Sequence, residues 1–331
     1  MNVNEENIKV SIIIPIYNAK NYICRCLDTL LNQTLKEIEV ICVLDCPTDG
    51  TDTIVDEYAM RDHRIKIVKN DRNLHVAESR NIGLRIARGE YIGFSDHDDY
   101  RSDTTMYEQL YRSAQDYNSD IVLSNAIVKN VLGEETKWKF INIDKQSLIS
   151  STILPFRDTL NAQKITHCIW HSIYKRSFLQ ENSIFFKDRD KFLDEDRLFN
   201  FECYFYAGTI THVDNFFYVW DNNNQSITQC YQNNYVSLEI RRTKFFIDFL
   251  ERVKKLNIYK NDLRNLIALE TKEGFQYYTD EPIKMLKSLG YLMNKIQYPI
   301  FGYNYELNML SRKRLKLILL NIKCKLLYFT Q

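Results

Sequence analysis

VSIIIPI, residues Val10–Ile16, is a run of apolar and mostly β-branched side chains with no polar alternation. A strand with one wet face alternates apolar and polar residues. A strand buried on both faces does not, and such strands belong to parallel sheets covered by helices. Reading outward repeats the pattern. Tyr22, Cys26, Leu27, Leu30 and Leu31 recur at helical spacing, and Ile38–Leu44 (IEVICVL) is a second apolar strand. Pro47-Thr48-Asp49-Gly50 is a turn, and Asp49 or Thr51 is placed to cap a helix running to about Met60. Next come a short strand at Ile65–Val68, a helix over Val76–Arg88 that Gly89 is placed to end, and a strand at Tyr91–Phe94. A helix with Met106, Leu110 and Ala114 on one side then leads to a strand at Asp120–Leu123. This alternation predicts a mainly parallel α/β sheet, flanked by helices and joined by right-handed crossovers. From about Glu134 to Tyr218 the pattern is mixed. After Tyr235 it is helical, and Asp280-Glu281-Pro282 reads as a helix start.

A chain of 331 residues has room for about two domains, and it buries enough surface to need no disulfide or structural metal. Its 44 basic and 43 acidic residues balance, so no global pull on nucleic acid is expected. Nine glycines, none before Gly50, exclude a Walker loop or a dinucleotide fingerprint after the first strand, because both need glycine where backbone meets phosphate. The eight cysteines form no C-x-x-C pair, which excludes a zinc ribbon or a thioredoxin-type motif. Several lie in apolar runs, as reduced cysteines do. MNVNEENIKV has no apolar signal core, and no apolar run approaches the ~20 residues of a spanning helix, so the expected location is cytoplasmic.

In an open parallel sheet, ligands bind beyond the carboxyl ends of the strands. Tyr17-Asn18 follows the first strand, Asp45 the second, Asn70-Asp71-Arg72-Asn73 the third, and Asp96-His97-Asp98-Asp99 the fourth. In extended backbone Asp96 and Asp98 share a face, and His97 faces away from both. Two neighbouring carboxylates repel unless a cation or proton intervenes, and Mg²⁺ typically takes one or two carboxylates plus substrate phosphates. Read from its residues, the cluster is equally a metal–diphosphate site or a polar turn that caps the next helix. The histidines show no metal-ligand spacing. The mixed charges from Lys187 to Arg197 read as a solvated loop or a helix first turn.

The ordered set of motifs resembles the family 2 glycosyltransferases, inverting nucleotide-sugar enzymes with a GT-A fold. The matching residues are Val10–Asn18, Asp45, Thr48-Asp49-Gly50-Thr51, Arg80-Asn81 with Gly83, Gly89-Glu90-Tyr91-Ile92, Phe94, and Asp96-x-Asp98-Asp99 as the D-x-D element. Similarity resumes in Trp170, Tyr174-Lys175-Arg176 and Phe178-Leu179, then in Glu195-Asp196 as the acceptor-side pair. It ends near Tyr218, Trp220 and Ser226-Ile227-Thr228. The resemblance implies a GT-A catalytic domain over 1–228, with a nucleotide-sugar half to about 125 and an acceptor half from about 126. A helical region over 229–331 follows.

By that resemblance Asp98 is the main metal ligand, for Mg²⁺ or Mn²⁺, and Asp96 contacts the ribose or the metal. Pro15, Tyr17 and Asn18 line the nucleotide pocket, and Asp45 contacts the base. Arg80 pairs with the acidic cluster or the diphosphate, since its planar fork suits either. Asp196 is the expected base, because a sugar hydroxyl needs a carboxylate to take its proton. Glu195 and Trp170 are expected on the acceptor side, Trp170 as an apolar platform. Cys46-Pro47 stands where the family commonly has Gly-Ser, which leaves the base open. The chain lacks the Q-x-x-R-W element of processive members, so single additions to a saccharide or lipid-linked saccharide are expected, in bacterial surface polysaccharide assembly. The rivals are a sugar-nucleotide pyrophosphorylase, which resembles a glycine-rich loop where this chain has Tyr17-Asn18-Ala19-Lys20, and a non-catalytic saccharide-binding or scaffold protein. Ser311–Gln331 carries Arg312, Lys313, Arg314, Lys316, Lys323 and Lys325 among leucines with no acid. It reads as a peripheral membrane contact at the inner face of the membrane, or as a packed helix with wet lysines.

Overall fold

The computed structural model describes residues 7–139, 148–149, 168–188, 195–221 and 235–263. The chain divides into two compact units, Met1–Gln229 and Cys230–Gln331. The basic tail and the Asp280-Glu281-Pro282 helix start lie outside the described residues, as does Ser226-Ile227-Thr228.

In the first unit β1 (Val10–Ile16), α1 (Ile23–Leu31), β2 (Ile38–Leu44), α2 (Thr51–Arg61), β3 (Ile65–Lys69), α3 (His75–Ile86) and β4 (Tyr91–Phe94) alternate as the hydrophobic pattern predicts. Every residue of β1 and β2 is buried, which is why their sequences do not alternate. Then follow β5 (Tyr100–Arg101), α4 (Met106–Tyr117), β6 (Ile121–Lys129), β7 (Glu135–Trp138) and β8 (Leu148–Ile149). β9 (Ser172–Lys175), α5 (Arg176–Glu181), α6 (Glu195–Tyr206) and β10 (Ile210–Asp221) complete the unit. The described part of the second unit contains α7 (Tyr235–Arg252).

The sheet runs β3-β2-β1-β4-β9-β6-β10-β5, with β7 beside β6 and β8 beside β10. Strands β3, β2, β1 and β4 are mutually parallel, as are β6 and β10. β9 is inserted antiparallel between β4 and β6. The carboxyl ends of β1, β2, β3 and β4 therefore open on one edge, and β9 closes the gap to the second parallel pair.

Three local expectations change. Gly89 does not end α3: that helix stops at Ile86, and Ala87 leaves it in extended backbone. Gly89 is required elsewhere, because a Cβ there would meet the backbone of Ser11, whose hydroxyl takes the Gly89 N–H at 2.8 Å. The strand expected at Asp120–Leu123 continues to Lys129, since pairing with β10 and β7 overrides its weaker pattern. The Asp96–Asp99 segment is a turn, closed by the Asp99 N–H on the Asp96 carbonyl at 3.4 Å, so alternation along a strand is not what groups its carboxylates.

Candidate active site

The loops after β1 and β2 are bonded to each other. Asn18 sits in the left-handed region at φ 47°, and its Oδ1 accepts the Thr48 N–H at 2.8 Å. The Ala19 N–H donates to Thr51 Oγ1 at 2.9 Å, and the Lys20 N–H to Asp49 Oδ2 at 3.0 Å. Asp49 also accepts the Thr51 N–H. Burial alone would raise the Asp49 carboxyl, but the bonds from Thr51 and Lys20 outweigh it and hold the group below its ordinary range. Tyr17 is left largely exposed beside this tie. Asp45 is buried, and its Oδ1 accepts Asn70 Nδ2 and the Leu74 N–H, both at 2.7 Å. It thereby shapes the loop after β3. Cys46, at φ 58°, donates its thiol to the Asn70 carbonyl at 3.1 Å.

Beyond β4, His97 places Nδ1 3.1 Å from the Pro15 carbonyl, which joins the acidic turn to the end of β1. Asp96 and Asp98 are half-buried, and Asp99 is buried. Asp99 Oδ2 accepts the Tyr218 hydroxyl at 2.7 Å and Oδ1 accepts the Asp221 N–H at 2.9 Å. Burial, with Asp98 and Asp96 close by, pushes the Asp99 carboxyl well above the usual carboxylate range, and those two bonds offset this only in part.

Arg80 joins the parts of the site that sequence keeps far apart. It is 3% exposed on α3. Its Nη2 donates to Asp96 Oδ1 at 2.9 Å and its Nη1 to Asp196 Oδ1 at 2.5 Å, with Glu195 Oε1 at 3.6 Å. The Phe186 ring lies under the guanidinium, 5.3 Å away. Burial pulls down the affinity of Arg80 for its proton, but Asp196, Asp96 and Glu195 outweigh it and the net shift is upward. A permanently charged arginine can thus stay buried because three carboxylates surround it. Glu195 and Asp196 reach it from the first turn of α6, where acids are favoured by the helix dipole.

Trp170 is 5% exposed and stacks on Tyr218, with ring centroids 4.3 Å apart and planes at 16°. The open platform expected for an acceptor is, in this structure, part of the packing that fixes Tyr218. Tyr218 also accepts the Asp96 N–H at 3.1 Å. Its place among the family-like residues is the only signal that sequence offers for this role. Arg101, just beyond the acidic turn, is buried and donates to Ser95 Oγ at 2.7 Å and to the Tyr107 hydroxyl at 3.0 Å. Nothing in sequence marks it.

The donor set fits a hard divalent cation completed by a substrate. Among the described residues no three His, Cys, Asp or Glu side chains converge on one point. Asp96 and Asp98 would supply the two carboxylates such an ion usually takes, with the other positions left to phosphate and water. Burial is the first cause of the upward push on Asp99, and only the part that Asp98 and Asp96 add is repulsion of the kind a cation relieves. No helix among the described residues is long and apolar enough to cross a membrane.

Residues 11–182 match the family described as Glycosyl transferase family 2. The chain is 30% identical over 267 residues to EpsH of Bacillus subtilis (strain 168), covering 80% of this chain and 76% of EpsH. It is 27% identical over 293 residues to the poly(ribitol-phosphate) beta-N-acetylglucosaminyltransferase TarS of Staphylococcus aureus (strain Mu50 / ATCC 700699), covering 86% of this chain and 49% of TarS. The crystal structure of S. aureus TarS residues 1–349 in complex with UDP-GlcNAc superposes with a TM-score of 0.71 at 25% identity, covering 88% of this chain and 82% of that one. The shared architecture is the GT-A fold.

Proposed function

The chain belongs to glycosyl transferase family 2, and on that premise we propose that it moves one sugar, with inversion, from a nucleotide-diphosphate sugar to a saccharide or lipid-linked saccharide of a surface polymer. Membership makes it a glycosyltransferase and sets aside the pyrophosphorylase and the scaffold. A uridine nucleotide is the first candidate donor, because TarS is seen with UDP-GlcNAc and with UDP. The chemistry belongs to residues 1–228, with the nucleotide-sugar half to about 125 and the acceptor half beyond it. The basic stretch Ser311–Gln331 would favour contact with an anionic membrane surface.

The observation that carries this reading is the single guanidinium of Arg80, bonded through one nitrogen to Asp96 of the acidic turn and through the other to Asp196. A donor-side carboxylate and a candidate base thereby share one site. Asp196 would take the proton of the acceptor hydroxyl as its oxygen bonds to the anomeric carbon. Attack opposite the departing diphosphate inverts that carbon. Arg80 would hold Asp196 on the attacking side and add positive charge toward the leaving group. Pro15, Tyr17, Asn18 and Asp45 would bound the nucleoside, and Glu195 would stand beside the acceptor. Asp98 and Asp96 would hold the Mg²⁺ or Mn²⁺, which supplies charge neutralisation for the departing phosphates.

Thermal melting of the full chain with UDP or GDP, with Mn²⁺ or with EDTA, tests the donor reading, since a ligand of the native state raises the melting temperature. UDP with Mn²⁺ is expected to give the largest rise. Asp98→Asn is expected to abolish the Mn²⁺-dependent part. An unchanged shift in that variant would remove the acidic turn from the site.

A further inference from the structure

The acidic turn does not hold its own shape. Between its own ends runs a long bond, 3.4 Å from the Asp99 N–H to the Asp96 carbonyl. Its stronger bonds go outward to β10. The Tyr218 hydroxyl accepts the Asp96 N–H and donates to Asp99 Oδ2, spanning the turn from its first residue to its last. Three residues along the same strand, the Asp221 N–H donates to Asp99 Oδ1. The Asp221 carboxylate pairs with Arg25 of α1 at 2.7 Å, and the same Arg25 Nη2 donates to the Asp98 carbonyl at 2.9 Å. Arg25 also lies over the Tyr100 ring at 4.2 Å, so its head group is fixed from two directions. The anchors are themselves braced. The Tyr218 ring is fully buried between Trp170 on one side and the Arg101 guanidinium, 4.9 Å from its centroid. β5, which follows the turn directly, pairs with β10 at Tyr218–Arg101 and Val219–Tyr100.

These grips fall on the Asp96 N–H, the Asp98 carbonyl and the Asp99 side chain. They set where the Asp96 and Asp98 carboxylates point. We infer that Tyr218, Asp221 and Arg25 are positioning residues, a clamp by which strand β10 of the acceptor half aims the donor-side carboxylates of Asp96 and Asp98. Asp99 is then the handle of the clamp: its carboxylate is taken up by Tyr218 and Asp221. The inference rests on the proposed reading of this turn as the diphosphate site.

Two variants test it without unpacking the core. Tyr218→Phe keeps the ring between Trp170 and Arg101 and removes only the hydroxyl. Arg25→Gln acts at the surface, on the other grip. Both are expected to melt within about 5 °C of the wild type, because each removes bonds worth only about 1–3 kcal/mol in a chain of this size. Calorimetric titration with UDP in Mn²⁺ is expected to show binding weakened about tenfold or more, roughly 1.4 kcal/mol. With EDTA the difference from wild type is expected to shrink. In turnover, the KM for the donor should rise while the KM for the acceptor stays put. Wild-type UDP binding and donor KM in both variants would overturn the inference. So would donor and acceptor KM rising together in step with a lost melting temperature, which marks a general packing role. If Tyr218→Phe fails to fold, Arg25→Gln decides alone. Asp98→Asn separates the two levels of the argument. If it too binds UDP and turns over as wild type, the diphosphate reading of the turn is lost; if it alone is impaired, only the clamp is.

Discussion

The two halves of the sheet are built from different material. Around β1 and β2 the core is aliphatic, and β1–β2 and β2–β3 are each joined by one crossover helix. Around β9, β6 and β10 the core is aromatic and polar. Phe186 stacks on Phe199 at 4.2 Å, Phe94 meets both edge-on, and Tyr174 packs against Phe94 and Phe199. Ser124, Asn125, His171 and Asn200 are buried among these strands and α6. Aliphatic packing is tolerant and sets a platform. Aromatic rings and buried polar groups have preferred geometries, so they set directions. The lesson is that the acidic turn belongs by sequence to the platform but is also gripped from the directional half: Tyr218 bonds Asp96 and Asp99, and Asp196 of α6 meets Asp96 on the guanidinium of Arg80.

The largest expected effect tests the join itself. Asp196→Asn should lower transfer by about 10²–10⁴-fold, the usual worth of a general base, while the Mn²⁺-dependent melting shift with UDP survives. Transfer within tenfold of wild type would take Asp196 out of the reaction. The next contrast is energetic. Phe199→Ala should cost about 3–5 kcal/mol in urea unfolding, whereas Ile13→Val should cost about 0.5–1.5 kcal/mol. Equal costs would erase the distinction between a directional and a tolerant core.

A third effect is acid sensitivity of the second half. Burial first, and nearby His212 second, press the His171 ring down to about 3. The folded chain therefore keeps His171 neutral where the unfolded chain, near 6.5, already takes the proton. Acid thus favours unfolding. Stability should fall as pH drops below about 6.5, by at most about 1.4 kcal/mol per pH unit for this one proton, with His212 adding in the same direction. Urea midpoints between pH 7 and 5 measure this, and a His171→Gln variant with an unaltered slope would assign the effect elsewhere. The smallest change is expected at the platform surface. Lys69→Ala breaks an exposed pair with Asp56 and should shift stability by no more than about 1 kcal/mol.

Sequence by itself determined the platform. Val10–Ile16 and Ile38–Leu44 announce strands buried on both faces because a doubly covered strand is mostly apolar, and the pattern needs no knowledge of partners; the exceptions, Ser11 and Glu39, are buried against each other. It also set the order of polar residues at the strand ends, since alternation and crossover handedness put those ends on one edge. Asp96, Asp98, Arg80 and Asp196 could be named on that basis with the family resemblance. Only the tertiary structure decided what each of them touches. Asp96 and Asp196 are a hundred residues apart, and no local rule predicts that one guanidinium will hold both. Trp170 reads as an apolar platform until β10 is laid beside the turn and its ring is found stacked on Tyr218. The physical reason is range. Hydrophobic burial follows a residue's own type and spacing, whereas a hydrogen bond or ion pair needs a second group within about 3 Å, and the fold alone brings that group there.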